Sequence, residues 1–396
     1  MRSSSFLGYA LVLGLLSAVG PFAIDMYLPA LPSIGATLSA SPGAVQASLI
    51  VFFVALGSGQ IVYGPLSDMF GRKRPLYFGL SLFVLASIGC ALAPDVKTLI
   101  AFRFFQGLGA CAGMVIPRAV VRDLHTGNDA AKLTSLLMLV FSVSPILAPL
   151  SGSFLIDSFG WRSVFWAVGV AGVLAVGLLW KSLPETRSPE QRADSSIGAA
   201  ARGYLLLLRD RHFLGLALIG GFGVSSFFAY LSNSSFVLVN HYGLTPRQYS
   251  IAFAVNAASF IGASQLTAKL GRRFGLKATV RVAVTVYAAA MLCALAVNAL
   301  VSDNMWLMLG TLFVGYGFLG LVIPSSMVLA MDRHGALAGT ASALAGTLHF
   351  AVGIVVMGTV SLFANGAPVP MLLGIAGSAL VSCVVAHLTL ASRAPA

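Results

Sequence analysis

Few side chains in this 396-residue sequence can do chemistry, and one acid among them stands apart. The carboxylates are Asp25, Asp68, Asp95, Asp123, Asp129, Asp157, Glu185, Glu190, Asp194, Asp210, Asp303 and Asp332. All but Asp25 fall in polar stretches or at the ends of apolar runs. Asp25 lies inside an apolar run, flanked by Pro21, Pro29 and Pro32. A carboxylate among apolar neighbours is suited to taking up and releasing a proton, because loss of water disfavours its charged form. The same position also suits a structural hydrogen bond across a helix that prolines interrupt. Two arginines lie in another apolar run. Arg103 has a depth that allows it to reach Asp25 and hold it ionised, or else it bonds helix-end carbonyls. Arg118 lies nearer the end of that run, where it can extend to lipid headgroups or take part in coupling.

A second group sits in the loop Gly64-Pro65-Leu66-Ser67-Asp68-Met69-Phe70-Gly71-Arg72-Lys73-Arg74. Gly64 and Gly71 allow tight turns and close helix approach. Asp68 and Arg72, with Arg122 and Asp123 as partners, form a candidate latch that breaks when the chain changes shape. Pro145, Pro149 and Gly152 mark a kinked, closely packed segment. Aromatic, methionine and amide side chains inside apolar runs suit soft recognition of amphiphilic ligands. The candidates are Tyr27, Phe53, Gln60, Met138, Phe141, Phe227, Tyr230, Asn233, Phe253, Asn256, Phe260, Tyr316 and His349, with Asp25 among them; helix packing is the competing use for most. His349 is also a candidate second protonation site, or a hydrogen-bonded structural histidine. No metal-ligand spacing, Ser/His/Asp grouping or phosphate-cradling loop is present, so neither an enzyme nor a bound metal or cofactor is expected. Cys90, Cys111, Cys293 and Cys383 sit singly in apolar runs and read as small hydrophobes.

What holds these groups in place follows from composition. Apolar residues make up 58% of the chain and charged residues 9%, with a mean hydropathy of +0.92. A water-soluble domain carries roughly a quarter charged residues, so lipid must be the main solvent here. Helices satisfy their own backbone in lipid, and alternating strand patterns are absent. The expectation is an all-α protein of twelve spans near 6–32, 43–66, 75–93, 97–121, 132–157, 162–181, 212–239, 247–269, 278–300, 303–331, 336–364 and 368–391. The polar stretch 184–211 reads as a linker between two six-helix bundles, 1–183 and 212–396. All Lys and Arg except Lys97, Arg162, Arg247, Arg103 and Arg118 fall on one side. By the positive-inside rule that side, with both termini, is cytoplasmic. The net charge of +12 therefore reflects orientation, and no nucleic-acid partner is expected.

The halves echo each other. Met69-Phe70-Gly71 matches Arg273-Phe274-Gly275, and Tyr27-Leu28 matches Tyr230-Leu231 at nearly the same offset, which favours a duplicated transporter. In that alignment Arg272 stands where the first half has Asp68.

These residues carry a family resemblance. Gly64 to Arg74 resembles the loop signature of the major facilitator superfamily, with Met69 in place of a basic residue. Arg103-Phe104-Phe105-Gln106-Gly107-Leu108-Gly109-Ala110 resembles its proton-coupling motif. Ser144 to Gly152 is similar to its antiporter motif, although Ala148 and Ser151 replace two glycines. Asp25-Met26-Tyr27-Leu28-Pro29-Ala30-Leu31-Pro32 resembles span one of the Bcr/CflA branch of bicyclomycin and chloramphenicol exporters; Gly160-Trp161-Arg162 and Leu183-Pro184-Glu185-Thr186 fit as well. The resemblance implies a monomeric drug:proton antiporter of the bacterial inner membrane, working by alternating access. Its partners would be a small-molecule drug, protons and the lipid bilayer. It makes Asp25 the proton and cation site, Arg103 its electrostatic partner, and Asp68 with Arg72 the cytoplasmic latch. The alternative is a dedicated exporter or symporter for an amino acid, a sugar or a self-made antibiotic.

Overall fold

The computed structural model describes residues 3–124, 127–193, 197–332, 334 and 337–391. Asp194 and position 336, the expected start of the eleventh span, lie outside the described residues. Twelve helices among the described residues are long and apolar enough to cross a membrane. Spans one to six are Gly8–Thr37, Pro42–Phe70, Lys73–Ala91, Val96–Leu124, Lys132–Phe159 and Arg162–Ser182. Spans seven to twelve are Arg211–His241, Pro246–Phe274, Leu276–Leu300, Met305–Asp332, Gly339–Leu362 and Pro368–Ala391. Spans two and four run further than hydropathy suggested, so Asp68 and Asp123 lie on the last turns of helices rather than in loops.

Local chemistry explains the irregular places. Span one is an α-helix only to Asp25, then a 3-10 turn, Leu28–Ala30, then a short helix, Leu31–Thr37. Pro29 and Pro32 lack the N–H that would continue the ladder. Tyr27 N accordingly donates to Ile24 O at 3.3 Å, which leaves the Ala23 carbonyl without its usual i+4 donor. Span seven ends in a π-helical turn, Phe236–His241. Span eight opens on a capping box, in which Thr245 Oγ1 accepts from Gln248 N and Gln248 Oε1 accepts from Thr245 N; it breaks before Thr267–Phe274.

The chain divides into two compact units, Met1–Ala200 and Ala201–Ala396. In the first, span one packs on spans four, five and six, span four on two and three, and span three on six. In the second the same pairings recur six spans later: seven on ten, eleven and twelve, ten on eight and nine, nine on twelve. Duplication therefore holds at the level of packing. Small residues make it possible. Cβ atoms at Gly107, Gly109 and Gly113 would run into the backbones of spans two, three and one respectively, so span four brings three neighbours to backbone contact. The segment read as a linker contains two short helices, Pro189–Ala193 and Ile197–Arg209.

Candidate functional site

In the first unit the deepest cation is Arg103, with no measurable exposure. One terminal nitrogen, Nη1, donates to Gln106 Oε1 at 2.6 Å and to the freed Ala23 carbonyl at 3.2 Å. Gln106 is fixed in turn by donating to Ser87 Oγ at 2.8 Å. The guanidinium plane lies 4.4 Å from the centre of the Tyr27 ring, 4.2 Å from that of Phe52 and 5.9 Å from that of Phe165. Nε and Nη2 have no hydrogen-bond partner. Ring faces replace a carboxylate here, a use for which planar Arg is suited and Lys is not. Tyr27 is locked by its hydroxyl, 2.6 Å from Ser48 Oγ.

Asp25 closes the α-helical part of span one and is 6% exposed. Ser144 Oγ donates to its carboxylate at 3.4 Å. No cation of the described residues lies within ion-pair distance of it. Ser144 precedes Pro145 within one continuous helix, Gly127–Phe159, which also holds Pro149 and Gly152. A Cβ at Gly152 would collide with the Met26 backbone, so this glycine lets span five approach the broken part of span one. One turn from Ser144 on the same helix, Phe141 lies 5.2 Å from the Arg118 guanidinium, a contact that draws Arg118 onto an aromatic face.

At the end of spans two and four the latch residues assemble around Arg72, which is 3% exposed. Arg72 Nε and Nη2 donate to the two Asp123 carboxylate oxygens at 2.7 and 3.2 Å. Its Nη1 donates to Asp68 Oδ1 at 2.7 Å and Ser67 Oγ at 2.8 Å. Burial disfavours the Arg72 charge, but the bonds from Asp123 and then the charge of Asp68 outweigh it and hold the proton more firmly than usual. Glu185, after span six, reaches the same place. It accepts from Arg72 N at 2.8 Å and Lys73 N at 3.1 Å, satisfying donors at the start of span three. Burial would raise its carboxyl, yet those amides, that of Arg187 and the Arg192 charge hold it below its ordinary range. Arg187 Nε donates to the Asp68 carbonyl at 2.8 Å, and Thr186 Oγ1 to Asp123 at 3.0 Å. Gly71 makes the turn at φ +85°, and a Cβ there would come within 2.6 Å of Glu185. That position requires glycine on both counts.

In the second unit, Phe227, Tyr230, Phe253, Phe260 and Tyr316 form one aromatic cluster. Tyr230 and Phe253 stack at 5.7 Å, while Phe227 meets Tyr316 edge-on at 5.8 Å. Asn256 Nδ2 donates to the Tyr230 hydroxyl at 3.3 Å, and Asn256 Oδ1 is buried without a donor. Asn233 turns back to the Ala229 carbonyl at 3.0 Å and Ser232 Oγ at 2.8 Å. His349 sits elsewhere, with Nε2 against Gly220, where a Cβ would meet it at 2.8 Å.

Known proteins match this chain in sequence and in architecture. The family model described as Major Facilitator Superfamily matches residues 13–358. The chain belongs to the major facilitator superfamily. The bicyclomycin resistance protein homolog of Haemophilus influenzae is 31% identical over 99% of this chain and 98% of its own length. The MFS-type transporter YdgK of Bacillus subtilis is 39% identical over 88% of this chain and 87% of its own. A chloramphenicol resistance protein of Pseudomonas aeruginosa is 28% identical over 87% of this chain and 80% of its own. These similarities are to the Bcr/CflA type of superfamily transporter. Among solved structures, a D-xylose-proton symporter superposes with a TM-score of 0.75 at 15% identity, covering 96% of this chain and 97% of that one. At that identity the likeness is one of fold.

Within the superfamily frame, several sequence expectations need correction. Arg103 does not pair with Asp25, because the proline-broken end of span one offers it the Ala23 carbonyl and two rings instead. Tyr27 and Phe53 are packed, at 0% and 2% exposure; Tyr27 belongs to the arginine box, not to an open wall. Met138, 40% exposed on span five, keeps the accessibility expected of a ligand contact and needs no correction. Arg122 is exposed and, among the described residues, forms no ion pair in the latch. A Cβ at Gly64 would meet nothing, so no close approach requires that glycine. His349 does not join the aromatic cluster. Glu185, expected only as part of the Leu183–Thr186 motif, is a full member of the latch.

Proposed function

We propose that this chain exports small amphiphilic antibiotics, of the bicyclomycin or chloramphenicol kind, in exchange for protons. The drug-resistance names of its relatives support the substrate class. The observation that carries the coupling is Asp25, a carboxylate in a membrane span with one hydroxyl donor and no arginine to neutralise it. A buried charge without a partner is costly. Balance at Asp25 is therefore left to a proton or to a hydrogen-bond donor of the ligand such as a hydroxyl, and the two compete. The broken helix that ends at Asp25 and the Pro145–Gly152 segment holding Ser144 give the site a flexible seam.

In the proposed cycle, drug enters from the cytoplasmic side and meets Asp25 deprotonated. The latch around Arg72 closes on that side, a proton from outside displaces the ligand, and release of the proton inside resets the carrier. An inward proton contributes about 2.3 kcal/mol per 100 mV of membrane potential. Both termini are cytoplasmic in this scheme, and the chain acts as a monomer in the bacterial inner membrane.

Two assays test the reading. Expression in an efflux-deficient host should raise resistance to several unrelated amphiphilic compounds, and everted vesicles should accumulate them when their interior is made acid. Resistance to none of them, or accumulation indifferent to the imposed gradient, defeats the proposal.

A further inference from the structure

The second copy of the loop signature has lost its acid and kept its bases. Lys269, Arg272, Arg273, Lys277 and Arg281 run from the end of span eight into the first turns of span nine. None forms an ion pair among the described residues. Asp332, at the corresponding end of span ten, is exposed and bonds none of them. In the first half the equivalent turn is neutralised by Asp68, Asp123 and Glu185. Here the same fold element stands uncompensated, beside the free amides and positive dipole at the N-terminus of the 25-residue helix Leu276–Leu300.

The side chains beyond this patch form a second, independent feature. Arg281 spends one nitrogen on the Leu390 carbonyl at the end of span twelve, while its Nε is buried with no partner. Thr285 donates to the Arg281 carbonyl at 2.8 Å, so His387 Nε2, 3.0 Å from the Thr285 hydroxyl, is its donor. These polar groups open onto an apolar surface, where Val282, Val384 and Leu388 are 61%, 50% and 70% exposed. Exposed apolar residues on a membrane span face acyl chains, and cations at its end face headgroups. A basic corner beside exposed apolar side chains on two packed helices matches both parts of one phospholipid.

We infer that the corner between spans nine and twelve binds an anionic phospholipid, its phosphate on Lys277, Arg281 and the Arg272–Arg273 turn, its acyl chains along Val282, Val384 and Leu388. The lipid supplies in trans the negative charge that the first half carries in its own sequence. The inference stands whether or not the exported compound is a drug.

Native mass spectrometry of the purified full chain tests it, with phosphatidylglycerol and phosphatidylcholine of identical acyl chains as probes. Wild-type protein should retain phosphatidylglycerol at least about fivefold more tightly, the scale of attraction per basic residue at a membrane surface. Lys277→Gln with Arg281→Gln should erase that preference, whereas Arg209→Gln with Arg211→Gln, an equal change of net charge, should leave it within about twofold. If the first pair fails to fold, Arg272→Gln with Arg273→Gln replaces it and should also weaken the preference. Equal retention of the two lipids, equal loss in the test and control pairs, or displacement of the lipid by excess inorganic phosphate overturns the inference.

Discussion

Arg72 holds two carboxylates of unlike exposure, and that contrast predicts unlike coupling. Asp123 is 15% exposed at its side chain and takes two bonds, at 2.7 and 3.2 Å. Asp68 is 42% exposed and takes one, at 2.7 Å, from four residues on, across the turn at Gly71. A charge-assisted hydrogen bond to a buried arginine contributes about 1.5–3 kcal/mol. A pair with one partner substantially exposed contributes about 0.2–1 kcal/mol once solvent screening is allowed for. Double-mutant cycles should separate the two. Arg72→Gln combined with Asp123→Asn should show a coupling energy of about 1.5–3 kcal/mol, and Arg72→Gln with Asp68→Asn less than about 1 kcal/mol. The assay is unfolding of the detergent-solubilised protein by denaturant, with intrinsic fluorescence as readout. In heat denaturation each kcal/mol should move the midpoint by about 2–4 °C, for a cooperative unit near 200 residues. Coupling to Asp68 equal to or larger than coupling to Asp123 would refute the reading of Asp123 as the anchor and Asp68 as the solvated partner.

Other consequences are open to direct measurement. The Glu185 carboxyl titrates below its ordinary 4.5 in the folded chain, so its stabilisation is full above that value and is lost as pH falls through the lower, folded one. Glu185→Gln should flatten the acid limb of a stability-against-pH curve in that window, and an unchanged limb in the variant contradicts the assignment. Arg103→Lys keeps the charge but not the planar stack between Tyr27 and Phe52, and should lower stability by about 1–3 kcal/mol; a lysine variant as stable as wild type would show that the rings add nothing specific.

Apolar length and basic-loop bias made the twelve spans legible, because lipid thickness and charge leave few alternatives. The internal repeat was faint in residue identities, yet the packing of the two units follows it pairing for pairing. The latch was half legible. Asp68 and Arg72 stand four residues apart, and Asp123 ends a span expected to finish on the same side, but Glu185 lies 113 residues from Arg72, and no local spacing announces such a contact. The expected Arg103–Asp25 pair failed for a definite reason. Depth along a helix is one coordinate, and azimuth is another. The interruption of span one at Pro29 and Pro32 freed the Ala23 carbonyl, turning Arg103 toward backbone and rings. Among the ligand candidates, Tyr230, Phe253, Asn256 and Tyr316 converge because they occupy matching turns of packed spans, whereas His349 faces Gly220.

Competition between ligand and proton for the span-one carboxylate is most directly seen by following protons as ligand binds. Adding an exported compound to purified protein in weakly buffered detergent should release protons in proportion to the compound bound, and Asp25→Asn should release none while remaining folded. Proton release that persists undiminished in Asp25→Asn, or its absence from wild-type protein that demonstrably binds the compound, would contradict the account.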